Sequence, residues 1–398
     1  MNILWGICGI FTVLSIAFLL SADRKSIKLR PILGGLAIQI SFAFVALKWE
    51  LGRKGLQAIT LGVQKVIDYA YEGIGFLFGP LADAEGIGFV FAFHVLPIII
   101  FFSSLISVLY YLGIMQMVIR VIGGALSKLL GTSEAESMSA AANIFVGQTE
   151  APLVVRPFIA NMTDSELFAV MTGGLATVAG SVLVGYSLLG ISLKYLLAAS
   201  FMAAPAGLIM AKIVMPETEE PETKGKLHLE KDKETANVID AAAKGASDGL
   251  KLALNIGAML LAFISLIALV NGILGLLGDL TLEGILGYIF APIAFAVGVP
   301  WTEAIDAGNF IGQKLILNEF VAYKAFAPEM ANLSEKTNLI VSFSLCGFAN
   351  LGSLAVLLGG LGGLAPNRRP DIAKYGLRAV AAGALASLLS AAIAGSLF

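Results

Sequence analysis

Two glutamates stand where a charge is expensive. Glu150 lies in Gly147-Gln148-Thr149-Glu150-Ala151-Pro152, and Glu319 in Ile316-Leu317-Asn318-Glu319-Phe320-Val321-Ala322. Each carboxylate has an amide close by, Gln148 or Asn318, and each cluster is set between apolar arms. A charged side chain at a bilayer centre costs about 2.5–3.5 kcal/mol on insertion scales, so such groups are normally retained for function. Carboxylate, amide and hydroxyl together suit a polar, largely uncharged solute. Carboxylates accept from hydroxyl pairs or ring N–H groups, and a site built that way rejects analogues lacking them. An anion site would place Arg or Lys in the tips, and neither tip has one. Asn, Thr and unwound backbone carbonyls would suit Na+, whereas a protonatable Glu would suit H+. The plainer reading is structural, with Glu150 paired to Arg156 and Glu319 to Lys314.

The elements that position these residues must be membrane helices. Of 398 residues 58% are hydrophobic and only 14% charged, with a mean hydropathy of +0.87. Soluble domains are nearer 45–50% apolar and about 25% charged, so lipid has to be the solvent for much of this surface. A net charge of −2 without a basic block argues against a nucleic-acid partner. Cys8 and Cys346 lie far apart in apolar segments and read as core residues. Spans of about 20 residues are expected near 2–20, 31–49, 88–113, 165–187, 190–215, 252–278, 338–361 and 376–397. The fold class is therefore all-α and polytopic. The first run has its basic residues after it rather than before, the reverse of a signal peptide, and reads as a retained helix with its N-terminus outside. Segments 51–71 and 116–130 mix charges with spaced apolar residues and read as interfacial, as does 281–299.

Two regions break the membrane rules. Region 134–160 opens on Ser133-Glu134-Ala135-Glu136, a capping box, and has its polar tip between two short apolar arms. Region 301–330 repeats the pattern around Glu319. Both read as re-entrant hairpins, tolerated only where they are buried or line a cavity. A helix with a weak, small-residue middle follows each, around Gly180-Ser181 and around Gly352-Ser353. Taken singly, such a pair more often marks close helix packing. Two opposed copies of hairpin and interrupted helix point to a secondary transporter with its site between them.

The organisation expected is 1–130, scaffold and interfacial helices; 131–187, first hairpin and broken helix; 188–251, a helix, a polar linker and an amphipathic helix; 252–300, a scaffold helix and interfacial segment; 301–361, second hairpin and broken helix; and 362–398, a last helix. The linker from Pro216 to Thr235 reads as solvated, with no function assigned. Basic loops at 22–30, 212–251 and 366–378 are placed inside.

The strings Asn143-Ile144-Phe145-Val146-Gly147-Gln148-Thr149-Glu150-Ala151-Pro152, Asn318-Glu319-Phe320-Val321-Ala322-Tyr323 and Cys346-Gly347-Phe348-Ala349-Asn350 resemble those of the concentrative nucleoside transporter family, in its short bacterial form. The resemblance covers almost the whole chain and implies a nucleoside importer working by cation symport. It also implies a homotrimer in the bacterial inner membrane, each subunit with its own pathway. By matching positions, Gln148, Thr149 and Glu150 would bind the nucleobase, with Val182 packed against it. Glu319, Asn350 and Ser353 would bind the ribose hydroxyls, and Phe348 would line the pocket. The family's sodium site maps to Asn143, Val146, Thr177 and Val178, the two valines acting through their carbonyls. The asparagine at position 143 favours Na+ over H+ as the coupling ion, and no cofactor is implied.

Alternatives remain in the residues themselves: H+ coupling, another small polar solute such as a nucleobase, a passive channel, or an intramembrane enzyme using the glutamates as an acid–base pair. For an enzyme there is no HExxH, P-loop or Gly-x-Gly-Asp motif; Gly275-Leu276-Leu277-Gly278-Asp279 has the wrong spacing. His94 has no spaced partner and reads as a packed or pore-facing histidine. The protein is not expected to be an enzyme.

Overall fold

The computed structural model describes every residue except 1, 83–87, 225–234 and 279, and its described residues are helical, with no strand among them. Asp279 of the decoy motif and the middle of the polar linker lie outside the described residues. The chain opens with α1 (Asn2–Leu19), α2 (Leu29–Leu47), α3 (Glu50–Phe78) and α4 (Phe91–Tyr111). A unit of four parts follows. Its parts are α5 (Ile114–Leu130); a hairpin of α6 (Glu134–Ala142) and a 3-10 arm (Ala151–Asn161); a helix broken into α7 (Asp164–Ala176) and α8 (Gly180–Leu188); and an unbroken α9 (Leu193–Val214). The 37-residue α10 (Val238–Leu274), about 55 Å long at 1.5 Å per residue, leads to a second unit of the same design. That unit comprises α11 (Leu282–Ala296); the hairpin of α12 (Ala304–Ile316) and α13 (Glu319–Glu329); the broken pair α14 (Glu335–Leu345) and α15 (Leu351–Leu364); and α16 (Arg369–Ser396). The repeat is thus wider than hairpin plus broken helix, because a helix of 15–17 residues, amphipathic in the first copy and apolar in the second, precedes each copy and a whole helix follows it.

Caps hold the two copies in register. The box at Ser133 forms as its sequence predicts, with the Ser133 N–H donating to Glu136 Oε1. A second box, Thr163 with Glu166, starts α7, and Ser334 caps α14 through the Thr337 N–H. From Thr163 to Ser334, and from Ala179 to Asn350, the step between equivalent caps is the same, 171 residues. The side chains of Thr163, Ser334 and Asn350 satisfy donors that lipid would leave unpaired, whereas Ala179 has none to offer.

All eight expected spans are helical, with differences of detail. Among the described residues, six stretches are long and apolar enough to cross a membrane. The first run is shorter, and 338–361 is split between α14 and α15. The amphipathic piece 236–250 and the span 252–278 are one helix, α10. Gly245 and Gly249 let it lie close against α4; a Cβ on them would fall 2.7 Å from Ser103 O and 2.8 Å from Ile100 Cα. The breaks also sit slightly earlier than the Gly-Ser pairs suggested. They span 177–179 and 346–350, so Gly180 and Gly352 belong to the restarted helices.

Burial separates inner from outer helices. In the broken helix Asp164–Leu188, 94% of the most apolar window is buried, against 17% in Val238–Leu274. The duplicated parts form the core, and α10 and α4 present apolar faces outward.

One expectation needs correcting: the polar linker is not wholly solvated. Glu217 accepts from Thr163 Oγ1 at 2.8 Å, and buried Thr223 bonds to Glu166. Lys212, read as a loop charge, is buried on the last turn of α9, where it meets Glu136 at 2.6 Å and Ser165 Oγ at 2.9 Å. Composition counts the linker's charges and cannot see that partners for the first of them lie at the bases of α6 and α7. Removing one member of a buried pair strands the other, at about 3–5 kcal/mol. Lys212→Met is therefore expected to lower the thermal unfolding midpoint in detergent sharply, and adding Glu136→Gln should recover most of the loss. A double variant no better than the single one would refute this account of the pair.

Candidate functional site

The hairpin tips converge on the two breaks. The Phe348 N–H, in the second break, donates to Thr177 O in the first at 3.0 Å; these residues are separated by the same 171-residue step, so the equivalent points of the two units touch. Gly347 makes the crossing possible, because a Cβ there would lie 2.9 Å from Ala176 O and 2.7 Å from Ser387 Oγ. The first tip is tied to the first break by the Gly180 N–H, which donates to Phe145 O at 3.0 Å. A side chain at 180 would approach that oxygen to 2.9 Å. Gly180 therefore serves close approach, and the unwinding falls just before it.

On the second tip, Glu319 is the first residue of α13, where free N–H groups favour a carboxylate. Asn318 caps the same helix by accepting from the Val321 N–H at 2.8 Å. Glu319 is buried, and two donors from different elements hold it. Tyr186 Oη of α8 donates to its Oε1 at 3.0 Å, and Asn350 Nδ2 donates to its Oε2 at 3.2 Å. Asn350 acts twice, since its Oδ1 caps α15 by accepting from the Ser353 N–H at 2.8 Å. Glu319, Asn350 and Ser353 are thus linked by one chain of hydrogen bonds. Phe348 is half-buried beside them in the chain, and Val182 is buried on α8.

The first tip is looser. Gln148 is buried with its Oε1 unpartnered, while Thr149 and Glu150 are exposed. Among the described residues, Glu150 accepts only from the Gly147 N–H of its own tip, at 3.4 Å. The structural pairings do not form: Arg156 is exposed, and Lys314 donates to Ser344 O and Ser387 Oγ instead.

Beneath the first tip Asn143, Val146, Thr177 and Val178 are all buried. Asn143 Nδ2 donates to Ser139 O at 2.9 Å, which leaves Oδ1 buried and unpartnered. Thr177 Oγ1 donates to Gly173 O at 2.9 Å, so its lone pairs are free. An orphaned amide oxygen and a hydroxyl oxygen with free lone pairs, both facing the turn at Gly173 and Gly174, are of the kind that suits a hard cation such as Na+. His94 is packed, with Nδ1 2.8 Å from Val90 O. Among the described residues no cluster of three His, Cys, Asp or Glu exists to hold a transition metal.

Sequence reasoning missed Tyr186. Its only signal is a lone phenol in the apolar Gly180–Leu188. Its ring lies between Phe320 and Tyr323, with centroids at 4.6 and 4.5 Å.

Comparisons with known proteins agree along the chain. Residues 8–81 match the model of the Na+ dependent nucleoside transporter N-terminus, 92–192 that of nucleoside recognition (gate), and 195–395 that of the Na+ dependent nucleoside transporter C-terminus. The chain is 60% identical over 402 residues to the uncharacterized transporter YutK of Bacillus subtilis, covering 99% of each. To the nucleoside permease NupC of Helicobacter pylori it is 51% identical, covering 98% of this chain and 97% of that one. To sodium/nucleoside cotransporter 2 of Rattus norvegicus it is 39% identical, covering 98% of this chain and 62% of the relative. The solved structure of CNTnw in an inward-facing substrate-bound state superposes with a TM-score of 0.96 at 55% identity, covering 100% of this chain and 98% of that one.

Tyr186→Phe keeps the ring and deletes one donor to a charged acceptor. A bond of that kind contributes about 1.5–3 kcal/mol, so solute affinity is expected to fall at least about tenfold, and the melting point falls as well because the bond is made without solute. Equal affinity in an equilibrium binding measurement would show that Glu319 is held well enough without it.

Proposed function

The chain belongs to the Na+-dependent nucleoside transporter family, and on that premise we propose how this nucleoside–cation symporter divides its work among named residues. The nucleoside lies between the two hairpin tips. Its ribose hydroxyls bond to Glu319, Asn350 and Ser353, and Phe348 lines the space between sugar and base. The base meets Gln148, Thr149 and Glu150, with Val182 packed against it. What carries this reading is the Glu319 carboxylate, buried and held by Tyr186 and Asn350 from two separate elements. A vicinal diol supplies the further donors that such an acceptor lacks.

The coupling ion is Na+, bound by Asn143 Oδ1, Thr177 Oγ1 and the Val146 and Val178 carbonyls. Support comes from the unpartnered, buried Asn143 Oδ1. A cation there joins the first tip to the first break and orders Gln148–Glu150 for the base, so that ion and nucleoside bind in each other's favour. That reciprocity is what coupling requires.

The protein works as a homotrimer in the bacterial inner membrane, each protomer with its own pathway. A scaffold of 1–130 and 252–300 supports a moving part built on 131–187 and 301–361. The outward apolar faces of α4 and α10 suit lipid and partner subunits.

Uridine uptake into proteoliposomes tests the reading. An inward Na+ gradient should drive accumulation, and a proton gradient in Na+-free buffer should not; equal uptake on the proton gradient would make H+ the coupling ion. Glu319→Gln should weaken uridine binding by roughly 10- to 150-fold, the range for bonds to a charged group. Undiminished affinity would move the ribose elsewhere.

A further inference from the structure

Behind the second hairpin tip lies a groove that the transport scheme does not use. Its volume is about 470 Å³, and it runs between α1, α11, α15 and α16, with Leu315 and Ile316 of α12 forming one wall. Among the described residues that line it only Thr12 is polar, and its Oγ1 is engaged with Cys8 O at 2.8 Å. A nucleoside, or any other polar solute, would find no partner there.

The groove has the depth of one leaflet. On α16 its lining runs from Leu388 to Leu377, a rise of about 16 Å at 1.5 Å per residue, and half of a bilayer's hydrocarbon core is about 15 Å. Helix α1 lies antiparallel to α16, Gly6 against Ser396 and Gly9 against Ala392, and lines the groove from Thr12 to Leu20. Leu20 and Leu377 therefore mark one end, on the side to which the basic loops 22–30 and 366–378 are assigned. The rim is open, because Leu20, Ile316, Leu351 and Leu377 are all exposed apolar residues. An empty hollow forfeits the dispersion contacts of the atoms around it, so in a bilayer a lipid chain fills it. Lipid tails are as apolar as leucine, and filling by itself selects no particular lipid.

Charge at the inner mouth does select. Arg24 donates through Nη2 to Leu19 O at 3.1 Å and through Nε to Phe18 O at 3.2 Å, which sets its guanidinium over the last turn of α1, beside Leu20. Arg378 follows Leu377 and is exposed. The nearby carboxylates in sequence are occupied by others: Asp23 accepts from Ser26 and the Lys25 N–H, and Asp164 and Asp371 are paired with Arg368. Two cations thus flank the mouth of an apolar groove one leaflet deep.

We infer that this groove binds one acyl chain of an anionic phospholipid of the inner leaflet, whose phosphate is held by Arg24 and Arg378. The chain lies against Ile316, two residues before Asn318, and against Leu351, the residue after Asn350, so lipid takes the place of protein behind the second tip. Each arginine near the membrane surface favours an anionic lipid by roughly fivefold, and the two together by about 25-fold, over a zwitterionic lipid with the same chains.

The full-length protein, stripped of lipid in detergent, is titrated with phosphatidylglycerol or with phosphatidylcholine of the same chains and read by native mass spectrometry. One tightly bound phosphatidylglycerol per protomer is expected, with the preference of about 25-fold given above. Equal retention of the two lipids would overturn the inference without recourse to any variant. Arg378→Gln should cut the preference about fivefold, and Ala381→Trp, which fills the groove, should abolish the tight binding; uridine binding by both variants shows that they fold. Tight binding unchanged in either one would refute the site. A phosphatidylglycerol with a photoreactive group midway along one chain should label residues 12–20 and 377–388. Label confined to other segments would refute it too, as would disulfide crosslinking between protomers through Ala381→Cys, which would show that a second copy covers the groove.

Discussion

A helix interrupted inside an apolar protein exposes N–H and C=O groups that lipid cannot satisfy, at several kcal/mol for each one left unpaired. This molecule contains two such interruptions, and it closes them on each other and on the hairpin tips. The Phe348 N–H is satisfied by Thr177 O, and the Gly180 N–H by Phe145 O. Both bonds need backbones closer than a side chain permits, which is why glycine stands at 180 and 347. The position of the site follows from this requirement. Once the breaks meet, each tip lies against the junction, and Glu319 comes within bonding reach of Tyr186 and Asn350 from distant parts of the chain.

Much of this was legible before any coordinates. Cost alone singles out Glu150 and Glu319, since a carboxylate in an apolar arm has no cheap structural use. The box at Ser133 and the Gly and Pro around Glu150 announce a hairpin, and the spans follow from apolar length. Less was legible where a residue's role is decided by its partner. Lys212 looks like one more loop lysine until Glu136 lies 2.6 Å away. Tyr186 looks like packing until its hydroxyl meets Glu319 across 133 residues of chain. Asn350 has a capping role readable from its neighbours and a second role, towards Glu319, that no local pattern encodes. Small-residue runs mark a break only to within a few positions, because the glycine that allows close approach and the residues that unwind are neighbours and need not coincide.

The two units share their architecture and differ in how fully their polar groups are committed. In the first, Asn143 Oδ1 and Gln148 Oε1 are buried without partners, and Glu150 holds one long contact within its own tip. In the second, Glu319 and Lys314 are each held by two bonds reaching other elements. Unmet buried acceptors raise the energy of whatever conformation leaves them unmet, so the first tip gains most from an arriving ligand, whereas the second is already ordered.

Under the proposed assignment of sugar to Glu319 and base to Glu150, that asymmetry gives the two ends of a bound nucleoside different kinds of recognition. A carboxylate offers about four lone-pair directions, and at Glu319 two are already taken by Tyr186 and Asn350, so what remains is fixed in direction before the solute arrives. A fixed acceptor set discriminates strongly, because a sugar without the matching hydroxyls leaves it buried and unpaired. The looser tip around Glu150 would instead adjust to rings of different outline once the proposed cation had drawn it against the break at Thr177. Strict reading of the common sugar at a rigid end and tolerant reading of the variable base at an adaptable end is the arrangement expected of one carrier that serves several nucleosides.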